Sequence, residues 1–121
     1  MTAPRSRSCR TLLALIALGI AGAALAGSYS GQKLLDALNS SAADERRFAE
    51  GYVFGIADSM QEAYPVFGLF RACIPSTATA TQVVVVVKET LRREPGYLHN
   101  AAGFLVAKAV ADAYPCSRAP R

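Results

Sequence analysis

The stretch Thr79-Ala80-Thr81-Gln82-Val83-Val84-Val85-Val86-Val87-Lys88-Glu89-Thr90-Leu91-Arg92-Arg93 decides the fold. Five consecutive β-branched residues ordinarily favour a buried strand. The flanks argue the other way. Thr79 and Gln82 stand three apart, the spacing of a capping box, in which each side chain bonds the other residue's backbone N–H. Lys88, Arg92 and Arg93 gather where the negative end of a helix dipole would be. Val83, Val87 and Leu91 recur every four residues, and the stretch is too long for an ordinary strand. It is therefore read as a helix, and with it the chain becomes all-α. Val84, Val85 and Val86 widen its apolar surface beyond one stripe. The helix is expected to be covered on two sides, by its own domain or by a second copy in a homodimer.

Outward from this helix, Pro65, Pro75, Pro95-Gly96 and Pro115 punctuate the chain and leave three more segments of helical length. The first, about 30–39, places Leu34, Leu35 and Leu38 on one face, with Ser30 as N-cap. The second, about 43–63, carries Phe48, Tyr52, Ile56 and Met60 at a spacing of four, and Asp44 and Glu45 suit its N-terminus. Gly51 and Gly55 inside it each cost about 1 kcal/mol against alanine, so a close helix neighbour is expected there. The last, about 100–114, is alanine-rich and is stopped by Pro115. The expected architecture is a small bundle of four to five helices.

At the N-terminus, Arg5, Arg7 and Arg10 precede an uncharged apolar run of 15 residues, Leu12 to Ala26, ending in Ala24-Leu25-Ala26. This is the pattern of a cleavable secretion signal, and the run is shorter than the about 20 apolar residues of a membrane span. Cleavage is expected after Ala26, giving a signal peptide at 1–26 and one domain at 27–121. The destination is the periplasm, with no membrane association after cleavage. Cys9 leaves with the signal. So do three of the 13 basic residues, which leaves ten against nine acidic ones. The formal charge falls from +4 to +1, and nucleic-acid binding loses its support. Two cysteines remain in an oxidising compartment, Cys73 and Cys116, and pair as one disulfide.

Little in the chain suggests catalysis. His99 is the single histidine and falls in a turn, and the cysteines are accounted for by the disulfide. One histidine with scattered carboxylates does not make a zinc set, and no phosphate-cradling glycine loop appears. No enzyme activity, metal or cofactor is expected. Tyr64, Phe67 and Phe70 cluster in a stretch with Pro65 and Gly68, where Tyr64 is the candidate for a partner contact and the phenylalanines for core. The turn Glu94-Pro95-Gly96-Tyr97-Leu98-His99-Asn100 offers an aromatic, an acid and amide groups. Glu94, Tyr97, His99 and Asn100 join Tyr64 as candidate partner-binding residues.

Several short motifs in order carry a family resemblance. They are Ser30-Gly31-Gln32-Lys33-Leu34-Leu35, Gly51-Tyr52-Val53-Phe54-Gly55 with Asp58, Cys73-Ile74-Pro75, Thr79-Ala80-Thr81-Gln82, Pro95, and Tyr114-Pro115-Cys116. Together they resemble the Rap/Tai immunity family, across nearly all of the chain beyond the signal. The resemblance implies an all-helical periplasmic protein, often a dimer, that binds and inhibits a peptidoglycan amidase effector delivered by type VI secretion. Many members of that family carry a second cysteine pair, in the first helix and just before the Gly-Tyr motif. Here those places hold apolar residues, near Leu38 and at Ala49. The competing reading is a small periplasmic helical chaperone or an orphan binding protein without an amidase partner, which would share size, compartment, helicity and disulfide.

Overall fold

A computed structural model describes residues 29–61 and 70–117. The signal segment and Tyr64 lie outside the described residues. Four α-helices follow in order, α1 (Gly31–Leu38), α2 (Ala43–Ser59), α3 (Ala80–Arg93) and α4 (Ala102–Ala113), with a one-turn 3-10 helix at Pro95–Tyr97 between the last two. No strand is present among the described residues; Ser30 and Ala101 form an isolated antiparallel bridge. The all-α bundle expected from the sequence is what the chain forms.

The valine run is helical, and its capping box is complete. Gln82 N donates to Thr79 Oγ1 at 3.2 Å, and Thr79 N donates to Gln82 Oε1 at 2.7 Å. Two N–H groups that a helix start leaves without partners are thereby satisfied. Val83, Val87 and Leu91 are buried, while Val85 is 51% exposed. In α1 the Ser30 hydroxyl accepts from Lys33 N at 3.3 Å, and Leu34 and Leu38 face inward. Asn39 closes that helix, its side-chain amide donating to Leu35 O at 2.9 Å. Ser40 prepares the next helix, its hydroxyl donating to Glu45 at 2.6 Å and accepting from Ala42 N at 3.1 Å.

In α2 the residues at a spacing of four do not all face inward. Its buried stripe is Ala49, Val53, Ala57 and Met60, whereas Phe48 is 64% exposed and Tyr52 and Ile56 are only half-buried. Ala49, Val53 and Ala57 stand one position beyond Phe48, Tyr52 and Ile56, about 100° around the helix, while Met60, of the spacing-of-four series, is buried too. Small side chains on the inner face let α2 contact α1, α3 and α4; rings there would hold it away. Gly51 and Gly55 have no neighbour within 4 Å of where a Cβ would stand. The close helix contact expected at them does not occur.

Gly31 is the glycine that packing requires. A Cβ there would collide with Leu105 Cδ1 and press on the Leu98 carbonyl oxygen and Cα, at 3.2 and 3.3 Å. This close approach lets the start of α1 hydrogen-bond the α3–α4 turn. Gly31 N donates to Asn100 O and Gln32 N to Leu98 O, both at 2.9 Å, and Ala102 N donates to Tyr29 O at 2.7 Å.

Cys73 and Cys116 form the expected disulfide, 43 positions apart. Cys73 N also donates to Tyr114 O at 2.8 Å, so the segment entering α3 is tied to the end of α4. Leu38 in α1 and Ala49 in α2 are both in the hydrophobic core. Packing holds α1 to α2 here.

Candidate partner-binding surface

The α3–α4 turn is rigid for a reason its sequence supplies. Pro95 opens the 3-10 turn, where its fixed φ suits a helix start. Tyr97 N donates to Glu94 O at 3.1 Å, and Asn100 N donates to Tyr97 O at 2.9 Å. Leu98, 7% exposed, anchors the turn in the core. With backbone and Leu98 fixed, Tyr97 projects outward, 59% exposed. A stiff exposed ring loses little entropy on binding, which is why tyrosine suits interfaces.

The four described candidate residues divide. Glu94 and Tyr97 come together around a small dent shared with Thr90, Leu91, Leu105 and Lys108. His99 is exposed. Asn100 is half-buried and its amide donates to Tyr97 O at 3.0 Å, so it holds the turn's shape. Lys108, beside the dent, donates to Asp112 at 2.6 Å, and that bond chiefly raises its pKa.

A second surface lies between α1 and the N-terminal half of α2, a groove of about 570 Å³. Tyr29 and Phe48 form its aromatic wall, and Asp36, Asp44, Glu45 and Lys33 surround it. Three carboxylates against one ammonium leave it acidic. The Tyr29 ring meets Phe48 edge-on at 6.0 Å and Tyr52 at 5.1 Å, geometries that aromatic pairs prefer. In the sequence Phe48 and Tyr52 register only as a helical spacing of four, which does not reveal this surface. The signal available was the rival series Ala49, Val53, Ala57, whose small residues compete for the inner face. Phe70 packs edge-on against Phe104 at 5.3 Å, which places Phe70 beside the core as expected.

The ring array makes the bundle sensitive to alkali. Burial raises the Tyr29 pKa above its ordinary 10.0, with Tyr52 and Glu45 adding to the effect. Burial also raises that of Tyr52, opposed by the Gly103 backbone. The folded state then keeps phenol protons that the unfolded state loses, so stability is full below about pH 10 and falls as pH rises beyond it. Tyr29→Phe is expected to flatten that decline, as read from thermal unfolding across alkaline pH beside tyrosinate absorbance. An unchanged decline in the variant would assign alkaline loss to other groups.

Among the described residues, no three His, Cys, Asp or Glu side chains cluster as a metal site would, and no helix is long and apolar enough to cross a membrane. Exposed aromatic and charged groups stand at the α3–α4 turn and around the α1–α2 groove. No curated protein and no solved structure matches the chain. Residues 30–116 match the family of Rap1a immunity proteins.

Proposed function

Because the chain belongs to the Rap1a immunity proteins, we propose that it protects its own cell by binding and inhibiting a peptidoglycan amidase toxin delivered by type VI secretion. The family match carries this reading, since residues 30–116 run from the N-cap of α1 to the second half-cystine. The mature form is the domain at 27–121, released into the periplasm by cleavage after Ala26. An oxidising compartment agrees with the disulfide, and a signal of this composition agrees with export. Inhibition of this kind works by occupying the toxin and uses no catalytic residue, metal or cofactor of its own. It asks for one toxin-facing surface on each chain, which leaves another face available to a second copy.

Tyr97 is the residue expected to matter most in the turn. Tyr97→Ala should weaken toxin binding about tenfold or more, the range of an interface anchor. Thermal stability should be unchanged, because the ring is largely exposed. Calorimetric titration beside a thermal melt reads both. Unchanged affinity would remove Tyr97 from the toxin-facing surface.

The family reading itself is tested by a periplasmic pull-down with the purified protein and a wall-hydrolysis assay on any amidase recovered. A stoichiometric amidase that loses activity on binding supports it. A broad set of unfolded clients would favour the chaperone reading.

A further inference from the structure

We propose that the groove between α1 and α2 takes an arginine-bearing segment of the toxin, an inference that rests on the toxin-binding reading and adds the chemistry of one contact to it. The groove's volume, about 570 Å³, lies within the about 300–1,000 Å³ of ordinary binding pockets. Phe48 stands in its wall, 64% exposed, and meets the Tyr29 ring edge-on at 6.0 Å. Tyr29 is fixed in turn, its backbone carbonyl accepting from Ala102 N at 2.7 Å and its hydroxyl donating to Lys33 O at 3.5 Å. The aromatic wall is therefore built before any partner arrives, which lowers the ordering cost of binding.

Charge selects the occupant. The chain as a whole is basic, with 13 Lys and Arg against nine Asp and Glu, yet three of those nine, Asp36, Asp44 and Glu45, line this groove against Lys33. Among the described residues the salt bridges are Glu89–Arg92 and Lys108–Asp112, and neither reaches the groove's carboxylates. Arg46 does not line the groove, and its guanidinium donates to Ser40 O at 2.8 Å. Asp44 and Glu45 have a local reason for their places, since the first turn of α2 favours anions. Asp36 has the reverse. It lies near the C-terminus of α1, whose last turn carries no basic residue, and there the helix dipole disfavours a carboxylate. Its Oδ1 accepts from the Gln32 amide at 2.8 Å, a neutral donor that leaves the charge unbalanced. A cation in the groove balances it.

Arginine suits this set of groups better than lysine. Its planar guanidinium stacks on an aromatic ring, donates in a fork that matches a carboxylate, and is less strongly hydrated than an ammonium. An acidic rim repels the phosphates of a membrane surface or a nucleic acid, so the occupant is a protein segment.

The purified chain is titrated with an acetylated glycyl-arginyl-arginyl-glycine amide and with its glutaminyl counterpart, while backbone amide NMR shifts are followed. Shifts gathered at residues 29–48 are expected with the arginine peptide alone. Asp36→Asn and Phe48→Ala should each weaken that binding about threefold, and the Asp36 effect should shrink in about 1 M salt. Both side chains are exposed, so the helical circular dichroism should survive. Glu89→Gln, which removes the same charge from α3, should change nothing. Absent or scattered shifts, or binding that Glu89→Gln weakens as much as Asp36→Asn does, would overturn the proposal. Against an amidase recovered by pull-down, Asp36→Asn combined with Phe48→Ala should raise the Kd about tenfold, the product of the two effects. An unchanged Kd overturns the proposal and leaves the toxin reading standing. Recovery of no amidase removes the toxin reading and the segment's source together, while the peptide titration still decides the chemistry of the groove.

Discussion

Replacing Cys73 and Cys116 together by serine is expected to lower the unfolding free energy by about 4 kcal/mol, the chain-entropy value for a loop of this length. The sequence separation of 43 sets that figure, since the cross-link restricts the unfolded chain more than it adds contacts to the folded one. For a domain of this size, whose whole stability is on the order of 5–10 kcal/mol, such a loss moves it close to unfolding at body temperature. The effect should be global, because the segment from Phe70 to Ile74 places Ala72 in the core and joins it to the end of α4 through the Cys73–Tyr114 hydrogen bond. Denaturant titration of the double variant, beside the unaltered protein with and without reductant, measures it. A midpoint that reductant does not move would show that the cross-link contributes nothing.

Gly31→Val should cost about 3 kcal/mol, at the upper end of what overpacking does. Ordinarily, replacing glycine in a helix stabilises, by up to about 1 kcal/mol. Here packing outweighs that gain. Leu105 could yield only by rearranging in a site where it is 6% exposed. The Leu98 backbone cannot yield without breaking its bond to Gln32 N. Gly51→Ala provides the contrast, because open space surrounds it and the propensity gain alone should remain. Chemical denaturation of the two variants should therefore shift in opposite directions. Equal shifts would mean that the close approach at Gly31 contributes nothing.

The parts of the fold that were legible in the sequence have local causes. The capping box at Thr79 and Gln82 overrode the strand preference of five valines because it satisfies backbone groups within four residues of itself. Ser30 likewise announced the start of α1. The disulfide followed from two cysteines beyond the signal-like N-terminal segment. What was not legible depends on distant partners. The Phe48 series and the Ala49 series predict the same helix, and only the tightness of the surrounding helices chooses between them. The joining of Tyr29, Gly31 and Gln32 to residues 98–102 has no signature in its own segment except a glycine that could have served a turn. The candidate surface divides in the same way. Tyr97 was identifiable as an aromatic held beside Pro95-Gly96, whereas Asn100 offers an amide that the turn itself engages. Tyr29 and Phe48 meet only once α1 folds against α2.

α4 buries six residues, Ala102, Leu105, Val106, Ala107, Ala109 and Val110, where each of the other helices buries three. It is also the last of the described helices. The central pillar therefore arrives after everything that leans on it, and a polypeptide emerging N-terminus first has no completed interior until its final residues are free. The two half-cystines obey the same order, since Cys116 follows the pillar. Loss of that last helix would therefore remove more of the interior than loss of any other single helix among the described residues.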